Sequence, residues 1–198
     1  MVEPKSQLGG ESSDIARPEI ERCTDEDLLI QIHQGHRDSV ERLYRRHGPS
    51  ILALLIRIFD DRQMAEEAVQ DTFLAVWNGA RFDGRSRVRT WLVAIAIRQA
   101  RSKRRRRRLA VGSQPRDFAS NDPSPEDAVV AGLDVDRLVK DLSELTRYQR
   151  EVVLLAFAEQ LTHPEIAEVL GVRIGTVKSR LHGAKKALMR KWEQEDRT

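Results

Sequence analysis

Between Leu28 and Leu188, apolar residues recur at three- and four-residue spacing in a series of segments. That period predicts an all-α fold. Thr24 is placed to cap a first helix, with Asp25, Glu26 and Asp27 in its first turn and Leu28, Leu29 and Ile32 on its apolar side; Gly35 ends it. A second helix is expected from about Asp38 to Phe59, with Gly48 and Pro49 as a kink. A third begins after Asp60 and Asp61 and buries a wide stripe made of Met64, Ala65, Ala68, Val69, Thr72, Phe73, Val76 and Trp77. A glycine- and arginine-bearing loop, Asn78 to Arg89, leads to a fourth helix, Thr90 to about Arg108. Four helices with short connections close one bundle.

From Leu109 to Asp122 the pattern stops, and the composition is that of a flexible linker. Ser124, Pro125, Glu126 and Asp127 restart a helix that continues with Val130, Leu133, Leu138 and Leu142. Another helix, Thr146 to about Glu159, brings Val152, Val153, Leu155, Ala156 and Phe157 toward the last two. The organisation expected is therefore a mobile tail (1–23), a first domain (24–108), a linker (109–123) and a second domain (124–198).

The last two helices form the most distinctive pattern. Thr162 and Glu165 have the spacing of a capping box, and Pro164 fits a first turn. Ile166, Ala167 and Leu170 give a short apolar face, and Gly171 falls where the chain reverses. In the helix that follows, Ile174, Val177, Leu181, Ala184 and Leu188 lie on one stripe. Gly175, Ser179, His182, Lys186 and Arg190 lie opposite, with Lys178 beside them and Arg180 nearer the stripe. A polar, cationic helix after a tight turn suits a helix-turn-helix in a DNA major groove. The plainer alternative is a helical hairpin with a solvated basic face.

Charge sharpens this picture. The net charge is only +3, yet seven of the eight residues from Arg101 to Arg108 are cationic, which favours contact with phosphates. A single cysteine, Cys23, excludes an internal disulfide and fits a reducing cytoplasm. No secretory leader is expected, because Met1 to Ile20 has no apolar run, and no membrane span, because the longest apolar stretch, Ile51 to Phe59, is short and interrupted by Arg57. The histidines show no ligand spacing, so neither metal nor cofactor is expected. Asp60, Asp61, Glu67 and Asp71 raise the alternative of a metal-dependent nuclease, but no third carboxylate converges on Glu67 and Asp71. A dimeric DNA-binding regulator with a ligand-sensing bundle is the other rival.

Two segments then carry a family resemblance. QMAEEAVQDTFLAVW, Phe82 and TWLVAIA resemble the core-binding and promoter-melting domain of the sigma-70 family. LSELTRYQREVVLLAFAEQLTHPEIAEVLGVRIGTVKSRLHGAKKAL resembles its C-terminal helix-turn-helix domain. Their order, with only a linker between them, is similar to that of the extracytoplasmic function (group IV) sigma factors over residues 24 to 192. The resemblance implies a non-catalytic bacterial transcription initiation factor, with core RNA polymerase, promoter DNA and an anti-sigma factor as partners. It places Glu67, Gln70, Asp71 and Phe73 in the polymerase-docking helix, although Phe73, Trp77 and Trp91 read from their spacing as core. It assigns Phe82, Arg85, Arg87, Trp91, Arg98 and Arg101 to the melted minus-ten element, and Thr176, Lys178, Ser179, Arg180, His182 and Lys186 to the minus-thirty-five duplex. Melted DNA is read by pockets and stacking and duplex by a groove helix, and a linker lets two weak sites reinforce each other. Arg98 and Ser102 stand where many group members have Asn and Asp, and Leu92 where housekeeping members often have a second tryptophan, which implies a changed and narrow promoter preference.

Overall fold

The computed structural model describes residues 23–111 and 141–195, and these contain seven named α-helices and no strand. The first unit comprises α1 (Asp25–His33), α2 (Arg37–Phe59), α3 (Arg62–Trp77) and α4 (Val88–Val111). The second comprises α5 (Arg147–Phe157), α6 (His163–Leu170) and α7 (Ile174–Glu195), preceded by a helical turn at 141–143. The expected mobile tail, most of the linker and most of the helix restarting at Ser124 lie outside the described residues. At Leu109, where the linker is expected to begin, α4 instead runs on through Val111.

Local chemistry sets the helix starts. Thr24 accepts from the Asp27 amide while its own amide and hydroxyl donate to the Asp27 carboxylate at 3.0 and 2.8 Å, and these bonds hold that carboxyl below its usual range. Asp60 ends α2 in the left-handed region at φ 53°, and Asp61 caps α3 by accepting from the Met64 amide at 2.8 Å. Pro49, expected at a kink, lies inside α2, which is helical on both sides of it. The adjacent Gly48 has a packing reason: a Cβ there would come within 2.9 Å of the Tyr44 ring, which meets Phe73 edge-on with centroids 5.1 Å apart.

The apolar stripe of α3 is buried as its spacing predicts, with Trp77 only partly covered. Leu28, Leu43, Ile51, Leu55, Ile58, Leu92 and Ile97 are fully buried in the same bundle. One continuous apolar cluster extends from this bundle into the second unit through Leu145, Val152, Leu155, Ile166, Leu170 and Val177. One expectation fails in α5. Phe157, expected to pack on the last two helices, is 77% exposed, and Leu154 is buried instead. The helix has only one buried face, and Phe157 falls in its last turn, where it points away from that face.

The two units touch through polar contacts as well. Arg89 forms a two-pronged ion pair with Glu159 at 2.8 and 2.7 Å and donates to Ser50 Oγ at 2.6 Å. Arg150 donates to the carbonyls of Leu142, Ser143 and Leu145, closing the turn before α5, and reaches the Arg57 carbonyl at 3.3 Å. Burial lowers the pKa of Arg150, though a guanidinium remains charged at any ordinary pH.

Candidate nucleic-acid interface

The helix-turn-helix forms as its sequence predicts. The Thr162 amide and hydroxyl donate to the Glu165 carboxylate at 2.8 and 2.6 Å, so α6 starts at His163, with Pro164 in its first turn. These bonds hold the Glu165 carboxyl below its usual range, and the positive charge of Arg87 acts in the same direction. Gly171 ends α6 at φ +63°, while its amide and that of Val172 donate to the Glu168 and Ala167 carbonyls. Among the described residues, nothing beyond its chain neighbours lies within 4 Å of a Cβ built on Gly171, so Gly171→Ala acts through the backbone. The substitution is expected to cost about 1 kcal/mol, and Gly171→Asn less, measured by chemical denaturation. Equal stability of the alanine variant and the parent would contradict the left-handed turn.

In α7, Val177 and Ala184 are buried, Leu181 and Leu188 are half-buried, and Ile174, expected on the same stripe, is 43% exposed at the helix start. Gly175, Lys178, Ser179, His182, Lys186 and Arg190 are exposed along the opposite side, and Thr176 is half-buried. Arg180 departs from this face: its guanidinium carbon lies 4.8 Å from the centroid of the Tyr148 ring. The far end of α7 is tied down by Trp192, which donates to Asp141 at 3.1 Å, and by Lys191, 2.7 Å from the same carboxylate.

In the first unit, Phe82 and Trp91 pair edge-on with centroids 5.5 Å apart, both half-buried against the core. Arg87 and Arg98 are exposed, and Arg85 is paired with Asp83, which raises the arginine pKa and lowers that of the aspartate. Arg101, expected at the minus-ten element, is instead committed to the other unit. Its Nε and Nη2 reach the Glu151 carboxylate at 3.3 and 2.7 Å, and Nη1 donates to the Leu170 carbonyl at the end of α6 at 2.8 Å. Glu151 is 0% exposed. A buried carboxylate requires a cationic partner, and Arg101 supplies it.

Glu67, Gln70 and Asp71 share the outer side of α3, with Gln70 exposed. Phe73, expected with them at the polymerase surface, is 5% exposed; its ring fills core space beside Tyr44 and is not presented on that surface. The two acids have partners in the arginine run: Lys103 lies 2.7 Å from Asp71 and 3.5 Å from Glu67, and Arg107 pairs with Glu67 and with Asp61. These pairs also account for three of the four carboxylates behind the nuclease alternative. Among the described residues, no group of three or more His, Cys, Asp or Glu could hold a metal ion.

Helical spacing thus divides the arginine run. Lys103 and Arg107 face α3; Arg101, Arg104, Arg105 and Arg108 line a cavity against the second unit; Arg106 is exposed. Sequence spacing singles out neither Glu151 nor Arg147 and Tyr148, which also line or adjoin this junction. One signal was available: Glu151 precedes Val152 by one residue and Leu155 by four, which places a carboxylate on the buried stripe.

A helical bundle with an acidic outer face and a cationic loop, joined to a helix-turn-helix, defines a multi-part DNA-binding protein. Its likeness to known proteins makes this specific. Residues 43–109 match the Sigma-70 region 2 family model and residues 136–188 match Sigma-70, region 4. The chain is 33% identical to the RNA polymerase sigma factor YlaC of Bacillus subtilis, an alignment covering 82% of this chain and 98% of that protein. It is 32% identical to the ECF RNA polymerase sigma factor SigK of a Mycobacterium species, covering 83% and 89%. Two solved structures share the fold. The sigma factor RpoE of Bartonella quintana, in complex with the anti-sigma factor NepR, aligns with a TM-score of 0.58 at 28% identity, covering 73% of this chain and 91% of that one. CnrH, in complex with the cytosolic domain of CnrY, aligns with a TM-score of 0.59 at 25% identity, covering 86% and 97%. The chain belongs to the sigma-70 family of RNA polymerase sigma factors, in its extracytoplasmic function group. No described helix is long and apolar enough to cross a membrane.

Proposed function

We propose that this sigma factor docks on core RNA polymerase through the α3 face bearing Glu67, Gln70 and Asp71, and reads two promoter elements. The minus-thirty-five duplex is read by α7 through Lys178, Ser179, His182 and Lys186, with Thr176 at the start of the helix. The melted minus-ten strand is held around Phe82, Arg85, Arg87, Trp91 and Arg98. The observation carrying this reading is the exposed polar side of α7 beyond a correctly formed turn, opposite a stripe anchored by Val177 and Ala184. Arg101 and Arg180 can join these surfaces only if the contacts they make here open. The functional units are the first domain (24–108), the linker (109–123) and the second domain (124–198), acting in the cytoplasm with no catalytic residues of their own. Since both solved relatives are bound to an anti-sigma factor or a named partner's cytosolic domain, an anti-sigma partner is proposed here too.

Transcription from a genomic fragment pool, with purified protein and core polymerase lacking any sigma factor, tests this reading. Discrete transcripts that require both components are expected. A footprint on a palindrome by the protein alone, without transcripts, would favour the dimeric regulator instead. Replacing Lys178 and Lys186 together by alanine is expected to soften the dependence of log K on log salt, measured on a minus-thirty-five duplex. The slope falls by about 0.9 for each phosphate that no longer meets a lysine. An unchanged slope would remove these two lysines from the interface.

A further inference from the structure

A cavity of about 460 Å³ lies between the two units, lined by Arg101, Arg104, Arg105 and Arg108 of α4 and by Arg147, Tyr148 and Arg180 of the second unit, with Leu109 and Val172 as apolar wall. Among the described residues, no carboxylate lines it. Arg147 and Arg180 both stack on Tyr148, their guanidinium carbons 4.4 and 4.8 Å from the ring centroid. Among the described residues, Arg147 Nε and Arg180 Nη1 are buried without a hydrogen-bond acceptor. Two buried N–H groups on permanently charged side chains, drawn together around one aromatic ring, are costly unless an anion completes them.

We propose that this cavity is a binding site for a small polyphosphate anion, of the class of pyrophosphate and nucleoside 5′-polyphosphates. Guanidinium forks match phosphate oxygens in two-pronged geometry, and a polyphosphate concentrates several negative charges in the volume between them. A carboxylate would bring one charge to a site where Arg147 and Arg180 each need an acceptor and the exposed Arg105 adds a third cation, Arg101 being already taken up by Glu151 and the Leu170 carbonyl. The cavity falls within the roughly 300–1,000 Å³ typical of small-ligand sites, and the Tyr148 ring with Leu109 and Val172 offers an apolar wall where a base could lie. Because the lining comes from both units, the anion binds only their closed arrangement and, at concentration c, stabilises it by RT ln(1 + c/Kd). Resting on the reading of α7 as the groove helix, the same anion holds Arg180 away from DNA, so polyphosphate and minus-thirty-five duplex compete.

Calorimetric titration of the full chain with pyrophosphate, ATP and adenosine at physiological salt tests the site without polymerase, so that its failure leaves the transcription reading intact. Saturable binding of pyrophosphate and ATP with Kd below about 1 mM is expected, and none of adenosine. ATP binding more tightly than pyrophosphate identifies a nucleotide site; equal affinities identify a site for the phosphates alone, and both support the proposal. Arg147→Gln is expected to weaken binding about tenfold or more, whereas Arg106→Gln, on the exposed side of α4, leaves it unchanged. Circular dichroism checks the fold of each variant, and Arg105→Gln, at an exposed cavity residue, provides a second weakened variant should Arg147→Gln fail to fold. Equal loss in Arg106→Gln and Arg147→Gln would reduce the effect to general charge and overturn the proposal. So would the absence of saturable binding, including the case in which Arg147→Gln weakens only duplex DNA or an acidic partner protein.

Discussion

Arg101→Ala is expected to drive the two helical units apart. The guanidinium of Arg101 is the partner of both oxygens of Glu151, a carboxylate with no exposed surface, and it also satisfies the last carbonyl of α6. Without it, the closed arrangement must keep an uncompensated carboxylate out of water, a cost of about 3–5 kcal/mol. The open arrangement avoids this cost by hydrating Glu151, so the penalty appears as a shift between closed and open forms. At about 1.4 kcal/mol per tenfold, a closed form initially dominant by a hundredfold becomes the minor species. Small-angle scattering of the full chain is expected to show a larger radius of gyration and loss of the compact distance distribution.

The reverse deletion is milder. In Glu151→Ala the arginine remains, with 28% of its side chain already exposed, and it can turn its charge to water while keeping the Leu170 carbonyl. A double replacement of both residues by methionine is expected to stay closed, since an apolar pair of similar volume avoids both desolvation costs. Identical scattering from Arg101→Ala and the parent, or equal opening by Glu151→Ala, would show that Glu151 does not depend on Arg101. Arg89 with Glu159 is the second ion pair across the junction and holds the units near the start of α4.

How much of this was legible in the sequence follows from how far apart the interacting groups lie along the chain. Caps are local: Thr24 with Asp27, Thr146 with Gln149 and Thr162 with Glu165 are each three residues apart, so helix starts could be read directly. Stripes are nearly as local, and the buried face of α3 follows its period. The arginine run shows where reading stops. Its composition points to phosphates, but which cation faces what depends on partners roughly 30 to 70 residues away, such as Asp71, Glu67, Glu151 and the Leu170 carbonyl. Helix period alone could have separated Lys103 and Arg107 from Arg101, Arg104, Arg105 and Arg108, but not shown that one set meets acids and the other a cavity. Resemblance puts Phe73 on the docking face and spacing puts it in the core; the spacing prevails for its side chain, because an aromatic ring beside Tyr44 gains more from burial than from exposure. Tyr148 and Arg147 carry no pattern at all, since their importance arises only once α4 lies against α5.

Val177→Asp is expected to separate the two halves of the proposed function. Val177 is fully buried where α7 crosses α6, within a cluster that includes Ile166, Leu170 and Leu155. A carboxylate there has no cation on the apolar stripe to meet it, so it must either take up a proton or expel the helix. The second unit is small, and a loss of several kcal/mol consumes most of what a core of this size provides. The stripe would unpack, the turn at Gly171 would no longer orient α7, and the cationic side of that helix would not be held in one direction. The first unit buries Leu28, Leu43, Ile51, Leu55 and Leu92 on its own helices α1, α2 and α4, none of which carries Val177. Expected, then, are a large loss of helical signal, abolished binding to a minus-thirty-five duplex and loss of promoter-directed transcripts, with α3-dependent binding to core polymerase retained. Val177→Ala, which removes two methyl groups and introduces no charge, is expected to cost only about 1–2 kcal/mol and to keep promoter selection. If Val177→Asp kept both its thermal transition and its duplex binding, α7 could not be packed through this stripe. If it lost polymerase binding together with duplex binding, the two surfaces would be one cooperative unit, as the continuous core and the Arg101 latch make physically possible, and the docking role of α3 would need to be tested by substituting Glu67 and Asp71 directly.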